Sequence, residues 1–182
     1  LNAVDFERLG EAEAAREAYE KALTSDPEFT PAHVSLGVLL LRQGRLEEAA
    51  QRFRRVLERS PADEGARFYL GACLLSEERF PEAAEEFKVL LRSRLFRAGS
   101  AHLLGGLYLG QGLISRAVEQ LRKCESQFPW NGEARALLAC ALRKDRRPQE
   151  AVQILESILR DDPLNFPARA ELFFLAMAGV SD

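Results

Sequence analysis

Three cysteines and two histidines are the side chains of this 182-residue chain that could supply a nucleophile or bind a transition metal. They are Cys73, Cys124, Cys140, His33 and His102. No Cys-x-x-Cys pair occurs, and the two histidines are far from any metal-ligand spacing. We therefore predict no zinc site, no disulfide framework, and no bound metal or other cofactor.

Acid–base chemistry would require carboxylates that face one another. The candidates are the adjacent pairs Glu47–Glu48, Glu77–Glu78 and Glu85–Glu86. Neighbouring residues of a helix point about 100° apart, so such pairs indicate solvated faces rather than catalytic dyads. His102 and Cys140 form a possible imidazole–thiol pair, but no acidic residue that would orient the imidazole is identifiable. Phosphate-binding and hydrolase motifs are also missing, and the sequence predicts no catalytic residue and no enzyme.

The composition limits the classes of partner that this chain is expected to bind. The net charge is −3, which argues against a nucleic-acid ligand. The longest apolar run, Leu172 to Val180, is 9 residues with Gly179 counted, far short of the roughly 20 needed to cross a bilayer. We predict a protein or peptide partner, no nucleic acid and no membrane span. Unpaired cysteines favour a cytoplasmic location, and a first residue of Leu1 instead of methionine favours a fragment of a longer protein.

The elements that position these side chains follow from an internal repeat of 34 residues, which runs without a gap from residue 30 to residue 165. Position 7 is leucine, at Leu36, Leu70, Leu104 and Leu138. Position 8 is small, at Gly37, Gly71, Gly105 and Ala139. Position 20 is alanine, at Ala49, Ala83, Ala117 and Ala151. Position 24 is large and apolar, at Phe53, Phe87, Leu121 and Leu155. Position 32 is proline except at Leu95, namely Pro61, Pro129 and Pro163.

This pattern resembles the tetratricopeptide repeat, a helix–turn–helix unit of the same period. The resemblance implies an all-α fold, a right-handed α-solenoid of helix pairs with one unpaired C-terminal helix. We predict a single array over residues 1–182, made of a partial repeat 1–29, repeats 30–63, 64–97, 98–131 and 132–165, and a terminal helix 166–182.

Apolar residues at the helical period predict where each helix lies. The predicted pairs are 1–9 with 12–24, 31–43 with 46–59, 65–77 with 81–93, 98–111 with 114–127, and 132–144 with 148–160, followed by a single helix 167–178. No segment alternates with period 2, so we expect no sheet. The small residue at position 8 should let the paired helix approach closely.

The resemblance also implies that the first helix of each pair lines a concave groove. The predicted groove residues are Val34, Val38, Leu41, Phe68, Ala72, Leu75, His102, Leu109 and Arg143. The family's best-known pocket clamps a carboxylate with lysine and asparagine, and the matching positions here hold Val34, Ser35 and Val38. We therefore expect an apolar or amphipathic peptide or helix rather than a chaperone tail.

Three functions remain open from the sequence. The leading hypothesis is a non-catalytic protein-interaction scaffold that buries an apolar segment in the groove. The alternative is the repeat arm of a larger bacterial enzyme, such as a glycosyltransferase or another carbohydrate-active protein, which would present substrates to a catalytic domain. The third is self-association through the terminal helix, where Phe173, Phe174 and Met177 expose apolar surface.

Overall fold

A computed structural model describes residues 3–179, with side chains from residue 11 onward. This part of the chain forms ten α-helices and contains no strand, which confirms the all-α prediction. The helices are α1 Ala3–Ser25, α2 Thr30–Arg42, α3 Leu46–Arg59, α4 Glu64–Ser76, α5 Phe80–Leu90, α6 Arg97–Gly110, α7 Ile114–Gln127, α8 Gly132–Lys144, α9 Pro148–Asp161 and α10 Phe166–Met177. The predicted array and its repeat boundaries extend to residues 1–2 and 180–182, which lie outside the described residues, and they stay a prediction.

The helices group into two compact units, the first ending at Leu90 and the second beginning at Leu91. In the first unit each helix packs on the next one in the chain, and α2 also contacts α4. The interior is built from side chains that the periodicity placed on the inner faces. Its largest fully buried members are Leu36, Phe53, Val56, Phe87 and Leu90.

The second unit follows the same plan with α6 to α10. Successive helices pack on one another, α6 also contacts α8, and α8 also contacts α10. One apolar cluster links α7, α8, α9 and α10, and its large fully buried members are Leu121, Leu138, Leu142, Leu155 and Leu175. The unpaired helix α10 is therefore held by two neighbours, α8 and α9.

The α2–α3, α4–α5 and α6–α7 pairs are each set by a glycine that leaves no room for a side chain. A Cβ atom on Gly37 would lie 2.8 Å from the ring of Phe53, and one on Gly71 would lie 2.8 Å from the ring of Phe87. Such distances are far below van der Waals contact, so the paired helices pack against bare backbone. The predicted close approach at position 8 is present in both pairs of the first unit.

The turn inside each pair needs one residue in the left-handed region. Gly44 and Gly112 occupy it with φ of +76° and +73°. Glu78 and Arg146 stand at the same repeat position with φ of +59° and +60°. A side chain there carries a backbone strain that glycine avoids. The repeat geometry therefore holds even where the residue type does not favour it.

Two helix boundaries differ from the prediction by more than one or two residues. The chain forms one continuous helix, α1, from Ala3 to Ser25, so the expected break between helices 1–9 and 12–24 is absent, although Gly10 stands where Gly44 turns the chain one period later. A break there would expose unsatisfied backbone groups at two new helix ends. Helix α5 ends at Leu90 rather than residue 93, because the buried Ser93 hydroxyl accepts hydrogen bonds from the N–H groups of Leu95 and Phe96.

Candidate functional site

Six of the predicted groove residues lie on two neighbouring helices of the first unit. Val34, Val38 and Leu41 share one face of α2, and Phe68, Ala72 and Leu75 share the matching face of α4. All six side chains are half-buried, and none is charged. We call this surface the α2–α4 face. Its apolar groups are accessible in part while their helices are anchored by the buried residues behind them.

Phe68 connects the α2–α4 face to the interior of the first unit. Its ring meets that of the buried Phe87 edge-on, with centroids 5.9 Å apart. The next residue, Tyr69, stacks on Phe53 of α3 at 5.4 Å. The middle of α4 is thus held from both sides by aromatic contacts. Phe68 contributes both to the packing of the interior and to the accessible surface. The outer residues Leu41 and Leu75 are therefore better positions for testing the α2–α4 face by substitution.

The other three predicted groove residues belong to the second unit. His102 and Leu109 lie on α6 and Arg143 lies on α8, and all three are half-buried. We call this surface the α6–α8 face. It differs in chemistry from the α2–α4 face, because an imidazole and a guanidinium stand where the first unit has only hydrocarbon.

Arg143 is engaged by the last helix. Its Nε–H donates a hydrogen bond to Oε1 of Glu171, and its guanidinium lies 5.7 Å from the ring centre of Phe174. The Glu171 carboxylate raises the pKa of Arg143 through this hydrogen bond. Glu171 is only 8% exposed, so the pair brings a buried carboxylate together with a partly exposed cation. The predicted groove cation therefore also joins α8 to α10.

The histidines are placed for packing. The Nε2–H of the buried His33 donates to the Pro27 carbonyl at 3.0 Å, since a carbonyl can only accept. That bond ties α2 to the turn before it. Nδ1 of His102 is buried and has no hydrogen-bond partner among the described residues. His102 therefore makes no hydrogen bond at Nδ1 to the Cys140 thiol.

Burial raises the pKa of all three cysteine thiols, that of Cys73 to about 11. For Cys140 the nearby Glu171 carboxylate adds to the effect. A reactive cysteine requires the opposite, a thiolate stabilised by positive charge or hydrogen bonds. These thiols are protonated at neutral pH and behave as small apolar side chains.

The predicted terminal surface lies on α10. Phe173 is 62% exposed and Met177 is 73% exposed, and Phe174 lies beside them with its ring against that of Phe173. Phe173 occupies repeat position 8, where the first two pairs hold a glycine beneath a phenylalanine ring. We call Phe173, Phe174 and Met177 the α10 face.

Sequence reasoning missed two features. The first is Trp130, which is 78% exposed and lines a cavity of about 390 Å³. In the sequence, this site was indicated by a tryptophan in the turn between two repeats, where a side chain is not expected to be buried. The second is Glu171, a carboxylate at repeat position 6, where the earlier units have Ser35, Tyr69, Leu103 and Leu137.

Neither a metal site nor a membrane-crossing helix is present in the described part of the chain. Residues 11–179 contain no group of three or more histidine, cysteine or acidic side chains arranged to hold a metal ion. Between residues 3 and 179, no helix has both the length and the apolar character of a membrane crossing.

The sequence matches two family models, both described as "Tetratricopeptide repeat". One covers residues 1–64, and the other covers residues 40–98 and 108–172. No curated protein sequence matches the chain.

Solved structures resemble the chain at low sequence identity. A crystal structure of MamA is 21% identical, with 90% of this chain and 96% of that chain covered and a TM-score of 0.79. YrrB, described as a TPR protein with an unusual peptide-binding site, is 18% identical, with 90% and 84% covered and a TM-score of 0.75. A tetratricopeptide repeat protein from Parabacteroides merdae is 19% identical, with 95% and 70% covered and a TM-score of 0.80.

Proposed function

Because the chain belongs to the tetratricopeptide repeat family, we propose that it is a non-catalytic scaffold that binds a peptide or helix with an apolar face. The observation that carries this function is the α2–α4 face, six apolar side chains in helical register on two neighbouring helices. The similar protein YrrB, described as having a peptide-binding site, supports a peptide ligand.

Binding would bury the half-exposed part of these side chains against the apolar stripe of the ligand. The driving force is the removal of hydrocarbon from water, about 25 cal/mol for each Å² buried. Because the helices beneath are fixed by Leu36, Leu40 and Leu70, the face loses little conformational entropy when a ligand docks. The ligand we expect is an amphipathic helix with anchors at i, i+4 and i+7, the spacing of the face itself.

We expect Leu75→Glu to weaken a peptide bound on the α2–α4 face by at least about tenfold, because a carboxylate would be buried against hydrocarbon. The ligands would be peptides selected from a randomised library on the wild-type protein, with dissociation constants measured by fluorescence anisotropy. Ser76→Glu is the matched control, since Ser76 is the exposed neighbour in the same last turn of α4. Selected peptides that bind Leu75→Glu and Leu41→Glu as tightly as the wild type would refute the α2–α4 face as the binding surface.

The α6–α8 face is proposed as a second contact surface with a polar component. The guanidinium of Arg143 is partly exposed while its Nε–H is occupied by Glu171. Its remaining N–H groups suit a carbonyl or carboxylate of the ligand, and Leu109 supplies an apolar anchor. His102 lies on the same face of α6 and contributes an imidazole, which has both apolar and polar atoms.

The α10 face favours self-association as a second role. Phe173 occupies the position that glycine leaves bare in the first two helix pairs, so a second helix of the usual kind could not approach it. A patch formed by two phenylalanines and a methionine is a surface that a second copy of the chain could cover.

If the α10 face mediates self-association, the weight-average mass should rise with concentration, and Phe173→Glu should abolish the rise, because a charge would have to be desolvated in the contact. Light scattering over a concentration series measures this. Gln153→Glu makes the same charge change at an exposed position of α9 and serves as the control. A wild-type protein that stays monomeric at the highest concentration would exclude the role.

A further inference from the structure

The cavity beside Trp130 lies between two successive turns of the second unit. One turn joins α7 to α8 and contributes Pro129, Trp130 and Asn131, and the other joins α9 to α10 and contributes Asp162 and Asn165. Gly132 lies at its base, where an added Cβ atom would come within 3.3 Å of the Asn165 side chain. This edge of the unit is built from turns, and none of the α6–α8 face residues lines the cavity.

Both walls are fixed by short-range bonds. Oδ1 of Asn131 accepts the N–H of Ala134 at 3.0 Å and caps α8. Oδ1 of Asn165 accepts the N–H of Ala168 at 3.1 Å and caps α10. The Trp130 ring meets Phe128 edge-on, with centroids 5.9 Å apart, so its position is set although most of its surface is exposed. A cavity with capped walls needs little rearrangement to receive a ligand.

The charges lining the cavity are unbalanced. Arg135 is the cation there, but it is 14% exposed and already contacts Glu125 at 3.5 Å and the Ser157 hydroxyl at 3.0 Å. Three carboxylates face it, and Asp162 among them is used by its own turn, accepting the N–H of Leu164 at 3.2 Å. Glu133 and Asp161 form no ion pair within the described part of the chain. The residues that line the cavity thus carry more negative than positive charge.

Asp161 also stands where a carboxylate is unfavourable. It is the last residue of α9, and the carbonyl end of a helix carries partial negative charge. The exposed indole beside it supplies an electron-rich face, the surface on which a cation is best held. A cation with an apolar stem is complementary both to the carboxylates and to the indole face of this cavity.

We propose that this cavity binds an arginine side chain of a partner protein, with the guanidinium on the Trp130 ring beside Glu133 and Asp161. The aliphatic stem would lie against Ile158 and the exposed ring edge. Since neither the α2–α4 face nor the α6–α8 face contributes a residue, the partner would be held at two separate surfaces. Loss of this site would therefore leave Leu75-dependent peptide binding intact.

Trp130 is the single tryptophan of the chain, so its fluorescence reports on this cavity alone. The probe is a blocked tetrapeptide, acetyl-Gly-Arg-Leu-Gly-amide, with the citrulline peptide as an uncharged isostere. We expect a saturable change in Trp130 emission with the arginine peptide and binding weaker by about three- to tenfold with citrulline. Equal binding of the two peptides, or no saturable change with arginine, would overturn the proposal.

The Glu133→Gln/Asp161→Asn variant should lose this difference, while Glu156→Gln, exposed on α9 outside the cavity, should keep it. Removing the carboxylate at the end of α9 favours that helix, and removing Glu133 from the first turn of α8 disfavours α8 by a similar amount, so the helical circular dichroism and Tm of the double variant should change little. A double variant that still prefers arginine over citrulline would refute the role of the two carboxylates. Unchanged peptide capture by the α2–α4 face in the same variant separates this site from the proposed scaffold function.

Discussion

Replacing Gly105 by alanine is expected to lower the free energy of unfolding by about 1–3 kcal/mol, whereas the same replacement at Gly106 is expected to raise it by up to about 1 kcal/mol. Both residues lie in α6 and are adjacent in the chain. A Cβ atom on Gly105 would come within 2.5 Å of Cγ and Cδ2 of Leu121, but one on Gly106 would meet Cδ2 of Leu137 at 3.5 Å. The first position is overpacked, and the second gains only helix propensity.

The clash at Gly105 involves the branch point of Leu121 and not only its tip, so a rotamer change alone cannot relieve it. The α8–α9 pair shows the alternative, because Ala139 and Leu155 are both fully buried at the matching positions. An alanine–leucine pair is therefore possible where the spacing of the two helices allows it. The spacing of α6 and α7 fits a glycine instead, and a change in that spacing would disturb the contact between α7 and α8.

Urea denaturation of the two variants beside the wild type measures the effect, with equal m-values needed for the comparison. Leu121→Val in the Gly105→Ala background should recover part of the loss, because valine has no δ carbons to meet the added Cβ atom. If Gly105→Ala and Gly106→Ala shift the free energy of unfolding in the same direction, the close approach of α6 and α7 does not determine the stability of this helix pair.

Much of the fold could be predicted because it depends on local periodicity. The leucines at position 7 and the small residues at position 8 marked the inner face of each first helix, and the structure buries them there. Glycine and proline marked most turns. The break expected at Gly10 is absent, because a glycine is a turn signal only where the two new helix ends gain enough packing to offset their unsatisfied backbone groups.

The candidate sites were predicted less completely because they depend on contacts between distant residues. The half-buried state of Val38 and Leu75 follows from helical register, which the sequence contains. The bond from Arg143 to Glu171 spans two repeats and joins α8 to α10, so neither residue alone indicates it. The charge around Trp130 is likewise assembled from two turns that meet only in the folded unit.

The Arg143–Glu171 pair gives the other large expected effect. Arg143→Met should lower the free energy of unfolding by about 2 kcal/mol, because it leaves the Glu171 carboxylate buried without a cation. This is below the cost of breaking a fully buried pair, because the Arg143 side chain is 31% exposed and water screens it in part. Lys144→Met removes the same charge from an exposed position of α8 and is the matched control.

Arg143→Met/Glu171→Leu should recover most of the loss, since replacing both members of a buried pair removes the unpaired charge. The Glu171 carboxylate raises the pKa of Arg143, so the guanidinium is charged and its contribution complete at both pH 6 and pH 8, which lie far below the ordinary arginine pKa. The result should therefore not change between pH 6 and pH 8, and thermal or urea unfolding at both values checks this. Should Arg143→Met cost no more than Lys144→Met, the guanidinium is not needed to hold α10. Any loss of peptide binding by Arg143→Met would then report directly on the α6–α8 face.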